Sequence, residues 1–275
     1  MSDDSNGINS VTGGGAADLI TGSGSDLGDT LTGGAGNDTF TFATANLTSL
    51  DTIAGGAGTD IITFSNADTV IDSDFTNVTG VETLTGHSGN STITLGPLAT
   101  AAGIVNVKPA AGTNSVTIPA THTGDLTVTA TGTDTIAAAA TYAGTLTVTF
   151  DIDDQTTDTL TGGAGTSDKL SITLDGTGDT AMVANDLDTV TLFEVVDIAS
   201  NVATSITSAS EMIATGKSMT YTASAVTTAA VTLDVSETTD TTSSQTITLG
   251  GTGAHIVTLG SGTDTYTYSY SGTGT

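Results

Sequence analysis

The chain has no cysteine and no tryptophan, and only 3 prolines and 3 basic residues among 275. Without cysteine it has neither disulfides nor thiolate metal ligands. Lys108, Lys169 and Lys217 stand against 30 acids, for a net charge of −27. A polyanion of this kind repels nucleic acids and anionic membranes, so no nucleic-acid partner is expected. Nearly every carboxylate also lacks a basic partner, so the charge must be solvated or neutralised by cations. No apolar run approaches the roughly 18 residues of a membrane span, so no direct membrane insertion is expected. The first residues, "MSDDSNGINS", have neither the basic nor the apolar stretch of a secretion signal. Export is therefore expected by a route that reads no N-terminal signal. Aromatics are 4%, which leaves Val, Ile and Leu to build a core.

Glycine, threonine and aspartate fill the space, in an order that repeats. "GGAGNDTFT" runs from Gly33 to Thr41 and "GGAGTDIIT" from Gly55 to Thr63. "GGTGAHIVT" begins at Gly250 with His255 in place of the acid, and "LGSGTDTYT" follows from Leu259. "GGAGTSDKL" at Gly162 carries one extra residue before Asp168. Looser copies start at Gly13 and Gly86, "TGSGSD" ends at Asp26, and Gly132 to Asp134 is a residual copy. Asp29 lies nine residues before Asp38, Asp51 nine before Asp60, and His255 nine before Asp264. A nine-residue period with glycines at offsets one, two and four and an acid at six is a solenoid signature. Glycine permits positive φ and close backbone approach. The three residues after the acid read as a short strand with one side chain inward, a slot held by Phe40, Ile62, Val257 and Tyr266. Two turns and two strands predict a coil of about 18 residues, stacked strand on strand.

A longer repeat overlies the short one. "DFTNVTGVETL" from Asp74 matches "DLDTVTLFEVV" from Asp186 at an offset of 112, pairing Val78 with Val190 and Glu82 with Glu194. This predicts a first β module at 1–110, a related module with Thr-rich strands at 111–240, and terminal coils at 241–275. Threonine alternating with Val, Leu or Ile over 115–150 is strand periodicity. "AAAATYA" and "SASEMIATGKSM" are the segments expected to hold short helices. The fold class expected is all-β, a parallel β-solenoid with Thr-rich β segments.

Gly-Gly-x-Gly-x-Asp followed by x-apolar-x resembles the calcium-binding nonapeptide of the RTX proteins secreted by Gram-negative bacteria. The copies at Gly33 and Gly55 fit fully; the one at Leu259 keeps Gly260, Gly262 and Asp264. The resemblance implies a right-handed parallel β-roll with Ca²⁺ between stacked turns, held by aspartate carboxylates and glycine carbonyls. That suits a hard cation taking six to eight oxygens. Carried over by position, the carboxylate ligands would be Asp18 or Asp26, Asp29, Asp38, Asp51, Asp60, Asp168 and Asp264. Gly33, Gly34, Gly36, Gly55, Gly56, Gly58, Gly162, Gly163 and Gly165 would form the turns and supply carbonyls. Asp38 and Asp60 are 22 residues apart, so an insertion should loop out around residues 43 to 50. The motif at Gly162 has no tandem neighbour and reads equally as a plain glycine turn. The "FTNVTGVETL" segment resembles segments of bacterial surface-layer proteins and giant surface proteins.

Other chemistries find less support. "DIDDQTTD", from Asp151, lacks the glycine at six and the glutamate at twelve of an EF-hand loop. His87, His122 and His255 are far apart, and no HExxH, GxSxG or phosphate-binding lysine loop occurs. No pair of aspartates stands out for glycoside hydrolysis. The Thr-x-Thr triplets could form an ice-binding array, but threonine's β propensity explains them. The expectation is an extracellular structural protein of a bacterial cell surface, not an enzyme, whose fold and homo-oligomeric assembly into a layer or filament depend on Ca²⁺. A segment of a large adhesin, with a cell-surface glycan as target, and the secretion module of an enzyme are the alternatives.

Overall fold

The structure is a computed structural model and describes residues 7–22, 24, 27–67, 69–151, 158–173, 189–201, 203–207, 218–223, 225–236 and 244–270. Asp26, most of the acidic segment 151–158 and most of the second expected helix fall outside these residues. The chain divides into two compact units, Met1–Gly144 and Thr145–Thr275. Each is a parallel β-solenoid.

In the first unit one sheet stacks Ser10–Thr12, Thr30–Ala35, Thr52–Ala57 and Val78–Thr79. A second stacks Thr69–Val70, Thr92–Thr94, Thr113–Ile118 and Thr133–Ala138. A third stacks Leu19–Thr21, Thr39–Phe42, Ile61–Phe64, Thr83–Thr85, Asn106–Lys108 and Leu126–Thr129. The pairings are parallel and in register, for example Phe40 on Ile62 and Ile62 on Leu84. In the second unit the long sheet stacks Leu146–Asp151, Lys169–Thr173, Val195–Ile198, Ser218–Thr222, Ser244–Gly251 and Thr265–Tyr270. Thr204–Thr207, Val231–Asp234 and Ile256–Thr258 form a second sheet, and Thr159–Thr161 pairs with Val190–Thr191.

Alternation decides what goes inside. Threonines face out along Thr39–Phe42 while Phe40 and Phe42 are buried. Register then aligns the inward residues into columns, such as Ile20–Phe40–Ile62–Leu84–Val107–Val128 in the first unit. The second unit has Val148–Leu170–Val196–Tyr221–Ile247. Each fully buried Ile or Leu contributes about 1.5–3 kcal/mol. A core poor in aromatics is thus continuous.

The coils are longer than the expected 18 residues. The stacking period runs from 20, between Asn9 and Asp29, to 26, between Asp168 and Glu194. Strands of up to six residues and helical corners take the extra length, as at Thr44–Asn46, Asp72–Phe75 and Pro97–Ala102. The first of these lies in the insertion expected at residues 43 to 50. The last, not anticipated, starts on proline and ends at Gly103, whose φ is 103°. Asp72 holds it to the coil below by accepting from the Ala99 N–H at 2.9 Å.

"AAAATYA" forms no helix. Ala137 and Ala138 end the strand Thr133–Ala138, and Tyr142 turns inward, its hydroxyl donating to the Gly124 carbonyl at 2.6 Å. Residues 113–132 and 133–152 are successive copies of one 20-residue coil, with His122 and Tyr142 in the same slot. Pairing against the neighbouring strand outweighs alanine's helix propensity of under about 1 kcal/mol per residue.

Candidate functional site

The aspartates of the repeat point into the solenoid. Asp29, Asp38, Asp51, Asp60 and Asp168 are each at most 2% exposed. At the corner before each strand the backbone N–H lies beyond the regular ladder and needs an acceptor. The acid one coil later supplies it. The Asp18 N–H donates to Asp38 Oδ1 at 2.8 Å, that of Asp38 to Asp60 Oδ1 at 2.7 Å, and that of Asp60 to Glu82 Oε2 at 2.8 Å. A second row starts with Asn9 to Asp29 at 2.8 Å and continues from Asp29 to Asp51 at 2.7 Å. In the other unit Leu146 donates to Asp168 at 2.7 Å and Asp168 to Glu194 at 3.0 Å. The matched pair Glu82 and Glu194 therefore does the same work 112 residues apart.

Neutral residues can fill a rung. Asn114 Oδ1 accepts from the Ser91 N–H at 3.0 Å, and His255 Nδ1 from the Val231 N–H at 3.1 Å. The position asks for an acceptor of the right reach, and a charge is not required.

The second oxygen separates the acids. Asp18 Oδ2 accepts from Gly14 N–H and Asp168 Oδ2 from Gly163 N–H, both at 2.6 Å. Asp51 Oδ2 accepts from the Thr48 N–H at 2.7 Å. Asp38 Oδ2 and Asp60 Oδ2 are buried with no hydrogen-bond partner, as is Asp264 Oδ1. The glycines explain where these two oxygens face. A Cβ on Gly33 would lie against Asp38 Oδ2 and 2.5 Å from the Gly55 carbonyl oxygen. One on Gly55 would lie 2.5 Å from Asp60 Oδ2 and against the Gly80 carbonyl. So each orphaned carboxylate oxygen shares a cradle with a carbonyl from the next coil, and only a residue without Cβ leaves it open. Gly34 and Gly56, next in the motif, have φ of 114° and 111° and pair in register, so these glycines extend the strands beyond the turn expected there.

Electrostatics marks the same place. Burial raises Asp60 above the ordinary carboxylate value of 3.8; the Asp38 N–H pulls it down, and the charges of Asp38 and Glu82 push it up. Asp74 is raised by burial as well, against the Ile71 N–H, with Asp51 and Asp72 adding. His122 is lowered by burial; its Nδ1 lies 2.9 Å from Thr100 Oγ1 and 3.2 Å from the Gly96 carbonyl, while Nε2 is buried without a partner.

The predicted set therefore sorts itself. Asp38 and Asp60, with the carbonyls of Gly55 and Gly80, have an all-oxygen character that fits a hard cation. Asp18, Asp51 and Asp168 meet N–H donors at Oδ2, and Asp29 meets one at Oδ1. Gly260, Gly262 and Asp264 precede the last strand, Thr265–Tyr270. Among the described residues, no three His, Asp or Glu side chains gather as a metal cluster. Glu82, Asn114, Asp134 and Glu194 also serve in the rungs or beside them, since Asn114 Nδ2 donates to Asp134 Oδ1 at 2.8 Å. No glycine triplet precedes them, so the nonapeptide pattern passed them over; a 20–26-residue spacing from the previous acid is the signal that finds them. Comparison with family models, with curated proteins and with solved structures gives no match.

Proposed function

We propose that the chain is a structural module of a bacterial cell surface that assembles with copies of itself outside the cell, its coils discharged and tightened by Ca²⁺. The observation that carries this reading is the pair of stacked, unpartnered oxygens, Asp38 Oδ2 and Asp60 Oδ2, each beside a carbonyl of the next coil. An oxygen that is buried, charged and without a donor is costly. A divalent cation would remove that cost, and it would do so at the two turns that carry the full nonapeptide.

The energetics suit the setting. Weak sites of extracellular type fill at about 10⁻³ M calcium, and binding to the folded form alone adds stability. At the low calcium of a cytoplasm the same oxygens would stay charged and the coils looser, which agrees with export before folding is complete. Self-assembly follows from stacked coils whose terminal strands carry unused backbone donors and acceptors.

Electron microscopy of the purified chain, with calcium and with chelator, tests the proposal. Layers or filaments that form with the ion and disperse without it are expected. Monomers under both conditions would refute it.

A further inference from the structure

The two terminal coils differ in what they leave unpaired. In the long sheets, Leu19–Thr21 ends one and Thr265–Tyr270 ends the other, each paired on one side only. Along Leu19–Thr21 the Asp18 carbonyl accepts from Thr39 at 2.8 Å and the Gly22 N–H donates to Thr41 at 2.9 Å. The alternation of a parallel strand therefore turns the N–H groups of Leu19 and Thr21 to the open side. By the same alternation, Thr265–Tyr270 turns the Tyr266 and Tyr268 N–H groups to its open side, with the Asp264 and Tyr266 carbonyls.

The side chains match as the backbones do. Tyr266 and Tyr268 continue the inward columns above Ile247 and Leu249 but are 44% and 41% exposed, where those two are at most 1%. Two rings of core character thus stand uncovered. At the other terminal coil, Val11, Gly13, Asp18 and Ile20 line a recess. There Ile20 and Gly22 hold the column positions that Tyr266 and Tyr268 hold, a large residue facing a large one and a ring facing a glycine. The rungs are directional too, since each coil's corner N–H donates to the acid of the coil that follows. The carboxylate of Asp18 is the first acid of its row, and the corner N–H of Asp264 belongs to the last coil.

We infer that Thr265–Tyr270 of one copy pairs in parallel with Leu19–Thr21 of a second copy, seating Tyr266 over Ile20 and Tyr268 over Gly22 and bringing the Asp264 N–H to the Asp18 carboxylate. The occupant is a second copy, because the exposed coil offers the donors, acceptors and column positions that the other terminal coil lacks. This rests on the self-assembly reading and names its joint: head to tail, so that each contact leaves a new end like the old one.

Two blocking variants of the full chain test it by sedimentation velocity. Thr21→Pro removes an open-side N–H at one end, and Tyr266→Asp places a carboxylate in the joint at the other. Circular dichroism confirms that each folds; if Tyr266→Asp loses its β signal, Tyr268→Asp replaces it. The expected result is assembly of the unaltered chain, monomers for each variant alone, and a dimer that grows no further when the two are mixed. Variants that assemble like the unaltered chain would overturn the joint while leaving lateral assembly standing. Folded variants that stay monomeric when mixed would also overturn it. An unaltered chain that never assembles would refute the joint and the assembly reading together.

Discussion

The backbone N–H of Asp38 donates to the carboxylate of Asp60, 22 residues further on, at 2.7 Å. Both residues are fully enclosed, and the bond runs from one coil to the next. The motif's acid is thus first a means of satisfying the main chain at a corner where the ladder cannot.

Replacing Asp60 separates acceptor from charge. Asp60→Leu leaves the buried Asp38 N–H without a partner and should cost about 1–3 kcal/mol. Asp60→Asn keeps the acceptor, and its amide can donate toward the Gly80 carbonyl, much as Asn114 Nδ2 donates to the Ala110 carbonyl at 2.8 Å. It should melt at or slightly above the unaltered chain, by about 2–4 °C if the gain is near 1 kcal/mol. Thermal melts in chelator, followed at a β wavelength, distinguish the two.

Gly55→Ala should destabilise by about 1–3 kcal/mol, since the new Cβ enters the cradle between Asp60 Oδ2 and the Gly80 carbonyl. It should also remove the calcium response at that turn. Ala57→Gly, in the same strand but outside the cradle, should leave the calcium increment intact.

Acid should act in two opposed ways. Asp60 has a raised value in the fold, so it takes a proton more readily folded than unfolded. Its contribution grows as pH falls through the raised value and is complete below 3.8. His122 is lowered in the fold, so its contribution is whole above 6.5 and is lost as pH falls from there through the lowered value. His122→Gln should therefore remove a loss that sets in below 6.5, and Asp60→Asn should remove a gain nearer 4. Melting temperature against pH for the three proteins reads both effects.

A proton and a calcium ion would compete for the same oxygen. The rise in melting temperature given by calcium at neutral pH should shrink on acidification toward 3.8, where Asp60 is protonated. An increment that stays constant across that range would place the ion elsewhere.

Much of the architecture was legible because the repeat writes local rules openly. Glycine and aspartate at fixed offsets marked the corners, and Thr39–Phe42 and Ile61–Phe64 read as strands with Phe40 and Ile62 inward. The coil length was misjudged because nine-residue units suggested two short strands, whereas Thr30–Ala35 runs through the first two motif glycines. Rungs such as Asn114 and Glu82 share no local pattern with Asp60; only the neighbouring coil defines their role. The orphaned oxygens were hidden for the same reason, because whether Oδ2 finds a donor depends on a few degrees of turn geometry. Asp168 finds Gly163, while Asp38 and Asp60 find no partner.

The most direct measurement compares the unaltered chain with the Asp38→Asn/Asp60→Asn double variant, melted in chelator and in calcium. If the acids are backbone acceptors that a cation only discharges, the double variant in chelator should melt no lower than the unaltered chain, and calcium should raise only the latter. A double variant that loses its β signal in chelator, or an unaltered chain indifferent to calcium, would contradict the account.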